Sequence, residues 1–241
     1  MGQTKKPANH RLTEEEMSKS MFFAYHQLRT PLISMKWMAE MLLKGEAGKL
    51  NPAQEDLIRD LYTSVNHANE LVGHLLSAAR IESEELLIRL EPVDLEKICN
   101  EAVKDLQPLA NKKSQTLSFK KIVNLPIINT DPKYLREVLD NLLSNAAKYT
   151  PNKGAVELSV SLYKGEILFA VKDSGIGIPK AQQSRVFGKF FRGDNAVKMS
   201  NDGTGLGLYI VKNLVELLGG KIWFESEEER GTTFYFTLPV R

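Results

Sequence analysis

The segment Asp173-Ser174-Gly175-Ile176-Gly177-Ile178-Pro179 decides how this chain folds. It leaves the run Ile167 to Asp173, whose alternating apolar positions have the period of a half-buried strand. The two glycines permit the backbone to pass close to a ligand, and an aspartate at the end of a strand can accept a hydrogen bond from an exocyclic amine. This is not the G-x-G-x-x-G spacing of a dinucleotide fold, and no strand–helix–strand unit surrounds it. Instead a second alternating run, Val156 to Tyr163, lies just upstream and meets the first at Lys164-Gly165, a hairpin signal. The expected core is therefore a mostly antiparallel sheet.

On the near side of that hairpin, Pro132 to Tyr149 reads as a helix. Asn141 and Asn145 are four apart and point the same way from it, with Lys148 three residues further on nearly the same face. A carboxamide oxygen is a hard, uncharged ligand for Mg²⁺, which keeps several waters and bridges phosphates, while Lys148 offers a point charge to those phosphates. On the far side, Gly203-Thr204-Gly205-Leu206-Gly207-Leu208 opens a helix running to about Leu218, and its N-terminal amides favour phosphate. Taken singly, an amide pair is as readily a cap or a surface feature, and glycines mostly mark ordinary turns. Asp94 to Lys112 adds a helix, and Thr116 to Ile122, Lys221 to Ser226 and Thr232 to Pro239 add strands. Residues 92–241 thus read as an α+β layer with helices on one face.

The first third of the chain has a different grammar. Met21, Ala24, Leu28, Pro31, Met35, Met38 and Leu42 step by three and four, the seam of a bundle helix. Thr13 with Glu16 forms a capping box at its start, and Gly45 to Gly48 ends it. A second helix begins at Asn51-Pro52, with the stripe Leu57, Leu61, Ala68, Val72, Leu75 and Ala79. Two such helices form an antiparallel hairpin that cannot bury both flanks alone, so pairing with a second copy into a four-helix bundle is expected. Taking Met21 as heptad position a, His26 falls at f, facing outward. A lone exposed histidine on a helix is usually inert, and His10, His67 and His74 read that way. His26 stands in H-Q-L-R-T-P, where a neutral imidazole is a usable nucleophile and Pro31 can bend the helix below it.

Composition bounds the rest. The 241 residues, 42% hydrophobic and 26% charged, suffice for one or two domains with a core. A net charge of +2 from 32 basic and 30 acidic residues leaves no basic patch, so nucleic acid is not an expected partner. Cys99 alone makes neither an internal disulfide nor a cysteine metal cluster, and reads as a buried thiol. No apolar run approaches the roughly 18 residues of a spanning helix, and Met1 to Arg11 lacks the apolar core of a signal peptide. A cytoplasmic chain without direct membrane contact is expected, whether free or as the inner part of a membrane sensor.

From Glu91 onward the order of motifs resembles the catalytic domain of the GHKL (Bergerat) superfamily of ATPases and kinases. It has an asparagine box at Asn141 to Thr150, a glycine box at Asp173 to Pro179, a Phe-rich segment at Phe187 to Arg192, a second glycine box at Gly203 to Gly207 and a late Gly231-Thr232-Thr233-Phe234. The hairpin resembles the dimerisation and histidine-phosphotransfer domain of sensor histidine kinases. Together these imply a helical hairpin dimerising as a four-helix bundle (13–85), then an α/β sandwich ATP-binding domain (86–241), with residues 1–12 a linker or vector remnant. The resemblance implies that Asp173 binds the adenine amine, Asn145 holds Mg²⁺, and Lys148 and Tyr149 approach phosphate or ribose. Asn141, Gly175, Gly177, Ile178, Phe187, Arg192, Gly203, Thr204, Gly205, Leu206, Gly207, Leu208 and Thr232 complete the implied ATP site, under a mobile lid from about Lys180 to Asp202. It further implies autophosphorylation of His26, with Arg29 stabilising the transferring phosphoryl group, then transfer to an aspartate of a response-regulator receiver domain. Ile33, Trp37, Met38 and Met41 would meet that partner, and Thr30 would support a reverse phosphatase activity.

Two positions depart from or refine the pattern. The family's acidic residue directly after the histidine is Gln27 here, whose amide can fix the imidazole tautomer but cannot hold the proton. A catalytically weak phosphatase or binding module of the same signalling system is therefore the alternative. Asn141 stands where hydrolytic ATPases of the superfamily carry a water-activating Glu, which favours keeping ATP for the histidine.

Overall fold

The computed structural model describes residues 14–83, 86–121, 125–200 and 203–240, with side chains described from Gln27 onward. The chain divides into two compact units, Met1–Leu86 and Leu87–Arg241.

The first unit is a helical hairpin of α1 (Glu14–Leu43) and α2 (Pro52–Glu82). Thr13, half of the expected capping box on α1, lies outside the described residues. At α2 the cap is explicit. Asn51 Oδ1 accepts from the Gln54 amide at 2.9 Å, Gln54 Oε1 accepts from the Asn51 amide at 2.9 Å, and Pro52 occupies the first turn, where its missing N–H has no helical acceptor to serve. α1 stays helical through Pro31. The proline still removes one donor, so the Gln27 carbonyl has no helical partner there. Across the hairpin, Tyr62 Oη donates to Glu40 Oε1 at 3.0 Å.

The helices meet along a stripe next to the expected one. Ala39, at 1% exposure, is the buried centre of the α1 face, flanked by half-buried Leu32, Lys36 and Leu43. Of the expected seam, Met21 and Ala24 lie outside the described side chains, Leu28, Met35 and Met38 are exposed, and Leu42 is half-buried. On α2, Val72 and Ala79 are buried as expected, joined by Val65, Leu76 and Ala78, while Leu57, at 69% exposure, and Leu61 face solvent. A period of three and four locates an apolar helix but does not say which of two adjacent stripes meets its own hairpin partner. Leu28, Met35 and Met38 on α1 and Leu57 and Leu61 on α2 are instead left over for something else.

The second unit is built on a five-stranded sheet in the order β2-β4-β5-β7-β6. Its elements are β1 (Glu91–Val93), α3 (Leu95–Lys112), β2 (Thr116–Lys121), β3 (Ile128–Thr130), α4 (Pro132–Tyr149), β4 (Ala155–Tyr163), β5 (Glu166–Asp173), α5 (Asp194–Met199), α6 (Gly207–Leu217), β6 (Ile222–Glu227) and β7 (Gly231–Pro239). All pairs in the large sheet are antiparallel except β2 with β4. That parallel pair needs a crossover, supplied by α4. A strand–helix–strand unit thus exists upstream of the glycine boxes, unread in the sequence because β2 and β4 are far apart in the chain. The small β1–β3 ladder was also unread, being too short to show a period.

Alternation along the strands assigns the faces. Val156, Leu158 and Val160 of β4, Ile167, Phe169 and Val171 of β5, and Phe234, Phe236 and Leu238 of β7 are buried beneath the helices. Glu157, Lys172, Tyr235 and Trp223 lie on the opposite face. The Phe169 and Phe236 rings stack with centroids 4.4 Å apart, and each such buried aromatic contributes about 3 kcal/mol over exposure. Cys99, on the inner side of α3, is wholly buried, and burial pushes its thiol up to about 12.

Candidate functional site

α4 is fixed at both ends. Asp131 caps its start, Oδ1 accepting from the amides of Lys133 at 3.0 Å and Tyr134 at 3.1 Å, while Oδ2 accepts from the Arg89 amide at 2.8 Å. Leu135, Leu139, Leu142 and Leu143 hold its inner face in the core. This leaves Asn141, Asn145 and Lys148 along one edge.

The second glycine box comes directly against that edge. A Cβ on Gly207, the first residue of α6, would stand 2.9 Å from Asn141 Oδ1 and 3.8 Å from Asn145 Nδ2. A Cβ on Gly203 would stand 3.2 Å from Lys148 Nζ and 3.6 Å from Arg192 Nε. These glycines leave a cradle that side chains would fill, rimmed by two amides, an ammonium and a guanidinium, which suits a polyphosphate with a hard cation. Thr204 Oγ1 accepts from the Leu206 amide at 3.1 Å and orders the loop ahead of α6, with Leu206 buried and Leu208 half-buried in its first turn. Gly205 is obligatory: its φ is +69° and a Cβ would meet the Phe190 carbonyl carbon at 2.6 Å. Arg192 also bonds Tyr149, whose phenol burial pushes upward and the guanidinium holds back.

The first glycine box is joined to the C-terminal end of α4. The Ile176 amide donates to the Tyr149 carbonyl at 3.2 Å, and a Cβ on Gly175 would lie 2.5 Å from that oxygen. Asp173 is buried, and its Oδ1 accepts from the amides of Gly175 at 2.8 Å and Thr232 at 3.2 Å. Burial pushes this carboxyl up to about 6, and the two backbone bonds oppose the rise. Gly177 runs against the Glu227 carbonyl, 2.0 Å from where its Cβ would stand, and the Ile178 amide donates to Ser226 Oγ at 2.8 Å.

Sequence reading missed Ser226 and Gln183. Ser226 Oγ lies 2.8 Å from Thr232 Oγ1 and donates to the Gly231 carbonyl, while Gln183 Nε2 donates to the carbonyls of Ile178 at 3.0 Å and Ser226 at 3.1 Å. Neither has a motif around it, and the bonds that tie Ser226 to Ile178 and Gln183 to Ser226 span 48 and 43 residues. The expected lid segment carries a 3₁₀ turn (Lys180–Arg185) and α5, with Asn195 Nδ2 donating to the Gly177 carbonyl at 2.9 Å. Phe187 stands edge-on to Phe224 and Phe234, so within this unit it fastens the segment to the sheet.

In the hairpin, the backbone of His26 lies within α1, and its side chain lies outside the described residues. Gln27, Arg29 and Thr30 follow it and are exposed. Ile33, Trp37, Met38 and Met41 are exposed too, Trp37 at 67%.

A family model described as histidine kinase-, DNA gyrase B-, and HSP90-like ATPase matches residues 130–241. Another, the His Kinase A (phospho-acceptor) domain, matches residues 18–84. The circadian input-output histidine kinase CikA of Synechococcus elongatus is 36% identical over 216 residues, covering 89% of this chain and 29% of that protein. The crystal structure of full-length ShkA in complex with AMPPNP superposes with a TM-score of 0.74 at 30% identity, over 92% of this chain and 46% of that one. The mycobacterial sensor histidine kinase MprB matches at 30% identity and a TM-score of 0.52, over 64% of this chain and 99% of that one. The chain spans less than a third of CikA.

Proposed function

The chain belongs to the histidine kinases, as a phospho-acceptor domain followed by an ATPase-like domain, and from that premise we propose that it autophosphorylates His26 from ATP and passes the phosphoryl group to an aspartate of a response-regulator receiver domain. The observation that carries the reading is the meeting of Asn141, Asn145, Lys148 and Arg192 at the second glycine box, with buried Asp173 bonded beside the first. Asp173 accepts the adenine amine through its carboxylate, with Thr232 and the Gly175–Ile178 backbone shaping that end. Asn145 would hold Mg²⁺, which when bound would supply charge neutralisation at the phosphate oxygens. Lys148, Tyr149 and Arg192 hold phosphate and ribose, and the amides of Gly203 to Leu208 face the phosphate chain.

At the acceptor, His26 attacks the γ-phosphorus as a neutral imidazole, the N–P bond forming as the bond from phosphorus to the bridging oxygen breaks and ADP leaves, and its ring proton must also leave. Gln27 accepts a hydrogen bond from the ring and fixes the tautomer, so water or another carboxylate takes the proton. Arg29 offers a planar, permanently charged donor to the moving phosphoryl group. Leu28, Met35, Leu57 and Leu61, open to solvent in a single chain, are the flank that a second copy covers in a four-helix bundle. The receiver domain docks below His26 on the stretch with Ile33 and Trp37. No described helix is long and apolar enough to cross a membrane, and the reading places these two domains in the cytoplasm.

Incubation with γ-³²P ATP and Mg²⁺ tests the proposal. Acid-labile, base-stable label is expected on the parent chain and none on His26→Ala; label that persists in the variant would overturn His26 as acceptor.

A further inference from the structure

The C-terminal turn of α4 is held from outside the helix by two residues that neither the motifs nor the proposed chemistry uses. Lys113, the C-cap that follows α3, donates through Nζ to the carbonyls of Ala147 at 2.9 Å, Lys148 at 2.7 Å and Thr150 at 3.1 Å. Gln115 Nε2 donates to the carbonyls of Ala147 at 2.9 Å and Thr150 at 2.7 Å. A helix leaves its last four carbonyls without intrahelical donors. Here the Ala146 carbonyl takes the Thr150 amide, that of Ala147 takes both Lys113 and Gln115, that of Lys148 takes Lys113, and that of Tyr149 takes the Ile176 amide of the first glycine box.

Every oxygen of that turn is therefore assigned a partner, and an ammonium has three donors, all of them spent here. The negative end of the α4 dipole further favours a cation at this point. The same turn carries Lys148 and Tyr149 and directly follows Asn145. Since each helical residue turns the chain by about 100°, unwinding one carbonyl would swing Lys148 away from Gly203.

Resting on the nucleotide reading above, we propose that Lys113 and Gln115 are positioning residues, a clamp that holds Asn145, Lys148 and Tyr149 in nucleotide-binding register. Neither touches the nucleotide. Burial lowers the Lys113 pKa, in keeping with an ammonium partly withdrawn from water to serve carbonyls.

The test is calorimetric titration of the full chain with AMPPNP and Mg²⁺, at a temperature where circular dichroism shows each variant folded. Lys113→Met should raise the Kd about tenfold, as expected for losing hydrogen bonds from a charged donor, while Lys113→Arg should recover most of the loss. A Kd unchanged in Lys113→Met, even with a lowered Tm, would make the clamp an ordinary helix cap and overturn the proposal. If Lys113→Met does not fold, Gln115→Leu replaces it: a weakened Kd supports the clamp, and an unchanged Kd or a second failure to fold overturns it. A parent chain that binds no AMPPNP would instead overturn the nucleotide reading itself.

Discussion

Among single residues, Asp173 has the most legible chemistry. Its carboxyl titrates near 6 in the folded chain, above the roughly 3.9 of an unfolded aspartate. Folding therefore favours its protonated form, a contribution present below the unfolded value and lost as pH rises through about 6. The proposed role at the adenine amine would need the opposite form, because only the carboxylate is purely an acceptor. Affinity for ATP should fall as pH drops below about 6, and Asp173→Asn should bind about tenfold or more weakly with that pH dependence gone. Titration of both proteins from pH 5 to 8 decides it; parallel profiles would assign the titration to another group. Gln27 makes a second residue-level prediction. If proton removal limits the reaction, Gln27→Glu should speed autophosphorylation, with a ceiling of about 10²-fold to 10⁴-fold for a well-placed base, and an equal or slower rate would point to another base. Thr30, exposed one helical turn beyond His26, is expected to aim a water at the regulator's aspartyl-phosphate. Thr30→Ala should keep autophosphorylation and lose phosphatase activity, and equal loss of both would reduce Thr30 to a structural residue.

At the level of elements, α1 and α2 pose the question of what covers their open flank. Leu57 and Leu61 stand on α2 facing solvent, and a two-fold partner would bury each leucine twice, once per copy. At about 1.5–3 kcal/mol per leucine, Leu61→Glu should weaken self-association by at least about 100-fold, read by sedimentation across a dilution series. An unchanged mass would assign the flank to another partner. Trp37→Ala should slow transfer to the receiver domain with autophosphorylation intact. The elements also show how far sequence reaches. α4, β4, β5 and β7 were legible because their periods run for eight residues or more and their ends carry Pro132, Lys164-Gly165 and Gly231. β1, β3, α5 and the 3₁₀ turn were not, because three to six residues show no period and their partners are distant. The site divides likewise: Asp173, Asn145 and Gly203 announce themselves by spacing, whereas Lys113, Gln115 and Ser226 work only through contacts that the fold creates.

For the whole molecule, two separate cores mean that one unfolding free energy does not describe the chain. Calorimetry should show two transitions. Diluting the protein should lower only the hairpin's, since the proposed pairing of its flank depends on mass action, whereas adding AMPPNP with Mg²⁺ should raise only the sheet unit's, by about 2.7 kcal/mol at a hundredfold excess over Kd. One transition responding to both would show the units to be energetically coupled. The burial of Cys99 has a practical side as well. Thiol reagents attack the thiolate, and a sulfhydryl titrating near 12 within a closed interior presents almost none at neutral pH. A cysteine introduced at exposed Val197 should therefore take a single fluorophore, with the native residue left in place, so that a dye on an otherwise unaltered chain tests whether α5 moves when AMPPNP binds, as the expected lid requires.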